Sequence, residues 1–288
     1  MSVEKYRVSS GDKFKLKKYE TAPGDTPVFA KDSWLQVLEE NREKIRASQS
    51  KLYADGRAGV LILFQGMDGG GKDSAIKHVI GVNPQGVMVS SFKQPSRKEL
   101  AHDYLWRYAK AVPERGMIGI FNRSYYEEVL VVKVHGLYKN LNILERCKND
   151  DAIAKRYKHI RDFEEYLWDT GIITVKIFLN LSKDEQRKRL IKRIDREDKN
   201  WKFSDGDLKE RGFWDEYRDA FEQAIAQTSS ESAPWWVVPA DDKKYARAVI
   251  SRIIAERLRE INPAYPKVSD AQKELLQESK KLLVDCKV

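Results

Sequence analysis

The chain has 288 residues, 41% of them hydrophobic, and a formal net charge of +9. That apolar content is enough for a substantial core, so the chain is expected to fold unaided, and the charge points to an anionic partner. Cys147 and Cys286 lie far from any second cysteine or histidine at ligand spacing, which excludes a disulfide framework and a zinc site.

The start, MSVEKYRVSSGDKFKLKK, lacks the apolar core of a signal peptide, and no run approaches the roughly 18 apolar residues of a membrane span. We therefore expect a cytoplasmic protein with no membrane partner. The first 30 residues carry glycine, proline and charge and are expected to run over the surface; residues 34–53 read as a helix. Short apolar runs follow: VLILF (60–64), VMVSSF (87–92), MIGIF (117–121), TVKIFLNL (174–181) and WWVVP (235–239). Each has strand length and strand composition, and the segments between them repeat apolar residues at helical spacing. The alternation predicts an α/β fold, a five-stranded parallel sheet between helices. Residues 270–283 read as a last flanking helix. The simplest division is one domain over 1–288: an N-terminal extension and helix to 54, a core over 55–262, and a C-terminal helix over 263–288.

The first strand runs into Gly66-x-x-x-x-Gly71-Lys72 and then a helix, the P-loop arrangement. In it, backbone N–H groups of Gly69, Gly70 and Gly71, with the first turn at Asp73 and Ser74, surround phosphate oxygens while Lys72 adds a point charge. The competing reading is a glycine-rich turn with a solvated lysine. Two features depart from the usual loop. Asp73 follows the lysine where Ser or Thr normally binds magnesium, and Asp68 lies inside the cradle, where a bare carboxylate would repel phosphate. Asp68 is therefore expected to hold a metal ion or to orient an acceptor; capping of the next helix is the alternative.

The third strand ends at Asn122, where an Asp would normally anchor magnesium, and this shifts metal work toward Asp68 and Glu127 or Glu128. Arg123 lies just past the strand's carboxyl end, where open sheets bind ligands and where a guanidinium suits a transferring phosphoryl group; a plain ion pair is the other reading. Lys93, at the end of the second strand, and Arg107, on an expected amphipathic helix, occupy the region where nucleotide kinases place the acceptor phosphate. After the fourth strand, Ser182 to Glu185 form a capping box opening a cation-rich helix that includes Arg187, Arg189 and Arg193, the expected start of a mobile lid over about 183–215.

The segments GMDGGGKDS, SFKQPSRKELAHDYLWR, IFNRSYYEEVLVVKVH, RYKHIRDFE, LSKDEQRKRL with NWKFSDGDL, and APWWVVPADDK occur in this order over residues 55–262. Together they resemble the polyphosphate kinase 2 family. The resemblance implies a P-loop kinase core of thymidylate-kinase-like topology with a helical lid, moving a phosphoryl group between inorganic polyphosphate and a nucleotide with Mg2+ (or Mn2+). It implies Asp68, Lys72, Asn122 and Arg123 as catalytic residues, with Asp68 and Glu127 holding the metal. Donor phosphates would be bound by Gly69 to Ser74 with Arg187, Arg189 and Arg193; the acceptor nucleotide would be met by Lys93, Arg107, Glu127 and Lys133. FNRSYYE, with Asn122 and Glu127, looks like the AMP-accepting branches, and the chain length resembles the class III branch that takes AMP to ADP and ADP to ATP. A homo-oligomer, dimer or tetramer, is also implied.

Two other readings stay open. One is an ATP-dependent nucleoside monophosphate kinase, against which Asn122 and Asp73 count. The other is a non-enzymatic polyanion binder, although no recognised nucleic-acid module is present and nucleic acid is not expected as a partner.

Overall fold

The computed structural model describes residues 2–81, 83–201 and 203–285; Cys286 lies outside them. The five expected strands are present as β2 (Gly59–Gly66), β3 (Val87–Ser91), β4 (Ile118–Asn122), β5 (Ile172–Asn180) and β6 (Trp235–Pro239), all parallel. The sheet has six strands, however, in the order β1-β6-β5-β2-β4-β3, because β1 (Arg7–Val8) of the N-terminal arm adds antiparallel to β6. Two residues carry no legible strand pattern, so this strand exists only through its partner. The chain leaves β2 through a helix on one face of the sheet and leaves its neighbours β4 and β5 through helices on the other, so the crevice at the carboxyl end of β2 is a switch point of the kind that binds ligands in open sheets.

The unbroken apolar run of β2 follows from burial on both faces. Val60, Ile62 and Phe64 pack under α1 (Trp34–Asp55), α2 (Lys72–Val79) and the long penultimate helix, Lys243–Ile261. Leu61 and Leu63 pack on the other face. The segment after β3, expected as one amphipathic helix, is instead two single turns, α3 (Arg97–Leu100) and α4 (Trp106–Ala109), because Ser96 caps the first and Asp103 accepts at the start of the second. A 3-10 turn at Tyr125–Val129 leads from β4 into α5 (Val131–Val134), and α6 (Asp150–Asp169) returns to β5. The expected lid contains α7 (Lys183–Ile194), α8 (Glu197–Asn200) and α9 (Asp205–Gly212); α10 (Trp214–Thr228) then packs with α6 on the second face. The penultimate helix is α11 and the last is α12 (Asp270–Val284), which buries no residue and exposes Leu275, Leu276 and Leu283.

The N-terminal arm is pinned by Tyr245 of α11. Its hydroxyl lies 2.6 Å from that of Tyr6 and accepts the Val28 N–H at 2.9 Å. Tyr245→Phe leaves that buried N–H without an acceptor, so we expect a loss of about 1–3 kcal/mol. The melting midpoint should fall by about 2–4 °C for each kcal/mol, with turnover unchanged. An unchanged midpoint would show that water replaces the hydroxyl.

Candidate active site

The loop between β2 and α2 can wrap an anion because its glycines adopt backbone that other residues avoid. Gly69 and Gly71 have φ of +77° and +95°, and a Cβ on Gly70 would lie 2.8 Å from the Met67 carbonyl oxygen. Lys72, nearly buried, folds back so that its Nζ donates to the Gly66 carbonyl at 2.7 Å. Burial pushes the ammonium below its usual range, with Arg123 adding to the effect and Asp68, Glu127 and Asp73 opposing it. A phosphate at this loop would stabilise the charged form.

The substitutions noted in the loop are paired in space. Asn122 at the end of β4 donates to Asp73 at 2.7 Å. In the usual arrangement a strand-end carboxylate faces a loop hydroxyl; here the carboxylate is on the loop and the neutral partner on the strand, so two anions never face each other. The Ser74 hydroxyl accepts from Arg247 of α11 at 2.7 Å, beside Gly70 and Gly71 of the loop.

Arg123 is a left-handed residue, φ +65°, without being glycine. Such backbone costs about 1–2 kcal/mol and persists where its surroundings impose it. The turn aims the guanidinium between two carboxylates, 3.0 Å from Asp68 and 3.9 Å from Glu127. Burial pushes the Glu127 carboxyl up, while Arg123 and Lys72 pull it down. Asp68, Arg123 and Glu127 line a cleft of about 190 Å3 with Gln65, Met67, Leu130, Gln186, Glu210, Tyr217 and others. Asp68 and Glu127 place two carboxylates, hard oxygen donors, beside the phosphate loop, and among the described residues no group of three or more carboxylate, His or Cys ligands is gathered, so an ion held there would draw the rest of its shell from phosphates and water.

The chain has relatives among known proteins. The family description "Polyphosphate kinase 2 (PPK2)" matches residues 29–266. The chain belongs to the polyphosphate kinase 2 family. It is 47% identical to an ADP-polyphosphate phosphotransferase of Rhodopseudomonas palustris, covering 98% of this chain and 99% of that one. It is 43% identical to an AMP/ADP-polyphosphate phosphotransferase of Meiothermus ruber, covering 96% and 100%. A crystal structure of polyphosphate kinase 2 from Arthrobacter aurescens TC1 matches with a TM-score of 0.87 at 38% identity, over 96% of this chain and 97% of that one. The P-loop kinase fold read from the sequence agrees with that match, and enzymes of this kinase family work with a divalent metal ion.

Within this polyphosphate kinase 2 fold, several expected contacts are placed differently. Arg189 is buried and faces the P-loop from behind. It donates to the carbonyls of Gly69 and Gly70 at 3.1 Å, to Asp241 at 3.0 Å and to Ala240, with Nε on Glu185 at 2.8 Å. All its N–H directions are taken by protein, so in this structure it braces the loop and does not face a phosphate. Arg193 pairs with Asp207 at 3.1 Å, and Arg187 is exposed. Lys93 is exposed beyond β3, Arg107 pairs with Glu99 at 3.1 Å beside the Phe92 ring, and Lys133 donates to Tyr157 at 3.2 Å and to Gln223. None of these three lines the cleft.

Gln65, Gln186, Glu210 and Tyr217 do line it, without having stood out as site residues in the sequence. Gln65 had a signal, a polar residue closing an apolar strand. Gln186 donates to the Asp68 carbonyl at 2.8 Å and was hidden among the lid cations. Glu210 of α9 accepts from Tyr217 of α10 at 2.6 Å and contacts His135 at 3.0 Å, a meeting of three segments that no local pattern announces.

Proposed function

We propose that this protein transfers a phosphoryl group reversibly between inorganic polyphosphate and AMP or ADP, making ADP and ATP. The observation that carries the reading is the pairing of a lysine-bearing phosphate loop with Arg123 held between Asp68 and Glu127 at the loop's open side. A terminal phosphate oxygen of the acceptor attacks the terminal phosphorus of the donor; that P–O bond forms as the bond to the shortened polyphosphate breaks, and no covalent enzyme intermediate is needed.

In this scheme the loop amides and Lys72 hold donor phosphates, Lys72 exchanging its carbonyl contact for phosphate oxygens. Arg123 stabilises the charge on the group in transfer. Asp68 orients the attacking oxygen, and Asp68 with Glu127 would hold Mg2+, which when bound neutralises phosphate charge. Asn122 keeps Asp73 in place. Closing of the lid would bring Arg187 and Arg193 toward the donor. Lys93, Arg107 and Lys133 would reach the acceptor only after rearrangement, and we assign them no contact.

The two similar relatives differ in the acceptor their names state, ADP in one and AMP or ADP in the other. The AMP step is therefore the decisive measurement. With magnesium and long-chain polyphosphate, purified protein should form ADP and ATP from AMP, and ATP from ADP. Product from ADP alone would restrict the acceptor to nucleoside diphosphates. Transfer to a monophosphate from ATP, with none from polyphosphate, would overturn the reading in favour of an ATP-dependent kinase. A homo-oligomer and a cytoplasmic location complete the proposal; among the described residues no helix is long and apolar enough to cross a membrane.

A further inference from the structure

The RYKHIRDFE segment of α6 has no part in the chemistry above, yet its first and last residues are charged and buried: Arg156 is 6% and Glu164 1% exposed. Both face the turn that carries the reaction centre. The Glu164 carboxylate accepts the hydroxyls of Tyr125 and Tyr126, each at 2.9 Å. Its other oxygen accepts Lys176 Nζ of β5 at 2.7 Å. Lys176, wholly buried, spends its remaining donors on the Thr228 carbonyl at 2.7 Å and the Tyr126 hydroxyl at 3.2 Å. Eight residues earlier on α6, Arg156 donates to the Glu128 carboxylate at 2.8 Å and to its carbonyl at 3.2 Å. From the opposite side Gln65 donates to Ser124 at 3.2 Å. Tyr125, Tyr126 and Glu128 are thus tied to α6, whereas Arg123 and Glu127 face the cleft.

We propose that Arg156 and Glu164 are positioning residues, holding the strained turn so that Arg123 and Glu127 meet at the reaction centre. The inference rests on the function proposed above. Folding alone gives little reason for such a network, since a buried ion pair replaced by apolar groups of similar volume is often neutral or stabilising. Burial indeed pushes the Glu164 carboxyl up and the Lys176 ammonium down, each partly offset by the other. What apolar groups do not supply is direction. Two hydroxyls fixed on one carboxylate, and a guanidinium fixed on the next side chain, set the rotation of the turn that Arg123 enters with φ +65°.

The test is a charge-free pair in two forms. Glu164→Leu with Lys176→Met removes the acceptor for the tyrosines without stranding an ammonium. Glu164→Gln with Lys176→Met keeps an acceptor oxygen. We expect the first to lower kcat by about 10- to 100-fold, the scale of an ångström's misplacement, with both KM values within about threefold. The second should recover most of that loss. Adding Arg123→Ala to the first pair should slow it no further than Arg123→Ala slows the parent, because both act through the same guanidinium. Wild-type kcat in the folded first pair, no recovery in the second, or losses that multiply with Arg123→Ala would overturn the proposal. Should the first pair fail to fold, Tyr125→Phe carries the same comparison, expected at about three- to tenfold in kcat, since Tyr126 still holds the carboxylate. Turnover of polyphosphate by the unmodified protein tests the proposed function separately.

Discussion

Lys72→Ala lowers kcat for polyphosphate-dependent ATP formation by about 10²- to 10³-fold, the scale of losing one preorganised donor at a transition-state charge. The fold should survive. The loop is held independently of Lys72, by the Arg189 bonds to Gly69 and Gly70 and by the left-handed glycines. Burial already disfavours the ammonium in the absence of phosphate, so its removal should leave the melting midpoint unchanged or raise it. Lys72→Arg should not rescue turnover, because a planar fork does not replace a point charge in a slot this tight. Steady-state kinetics with a thermal melt on the same sample decide the matter. Turnover within tenfold of the parent would mean that another cation, Arg123 foremost, supplies the charge.

Asp68→Asn is the second large effect. Its carboxylate is about one-third exposed and faces both the cleft and Arg123. Removing the charge while keeping the shape should lower kcat about 10²-fold and raise the magnesium concentration needed for half-maximal rate, with the melting midpoint retained. The two roles open to Asp68 separate in combination with Arg123→Ala. A carboxylate that only steadies the guanidinium gives a double variant no slower than Arg123→Ala; one that orients the acceptor or holds the ion gives losses that multiply. An unchanged magnesium requirement would remove Asp68 from the metal site.

Much of this was legible along the chain because local rules wrote it there. Apolar runs of strand length announced β2 to β6, and the glycine spacing with Lys72 announced the phosphate loop, since backbone conformation and two-face burial are set within a few residues. The Asp73 and Asn122 departures were each visible singly. Only the fold showed that they are one exchange, a hydrogen bond across 49 positions. Tertiary structure likewise decided that Arg189 turns inward, since periodicity places an arginine on a face without saying what that face meets. It also recruited β1 to the sheet and brought Glu210 and Tyr217 to the cleft. The break in the expected helix after β3 is local, because the Ser96 and Asp103 caps outweigh the apolar spacing. Strands, phosphate loop and family chemistry were written in the chain itself, because those depend on neighbouring residues. Which charged groups face the cleft and which brace it was decided by packing, because a partner's position depends on how α6, α7 and α10 dock against one sheet, and no short stretch encodes that.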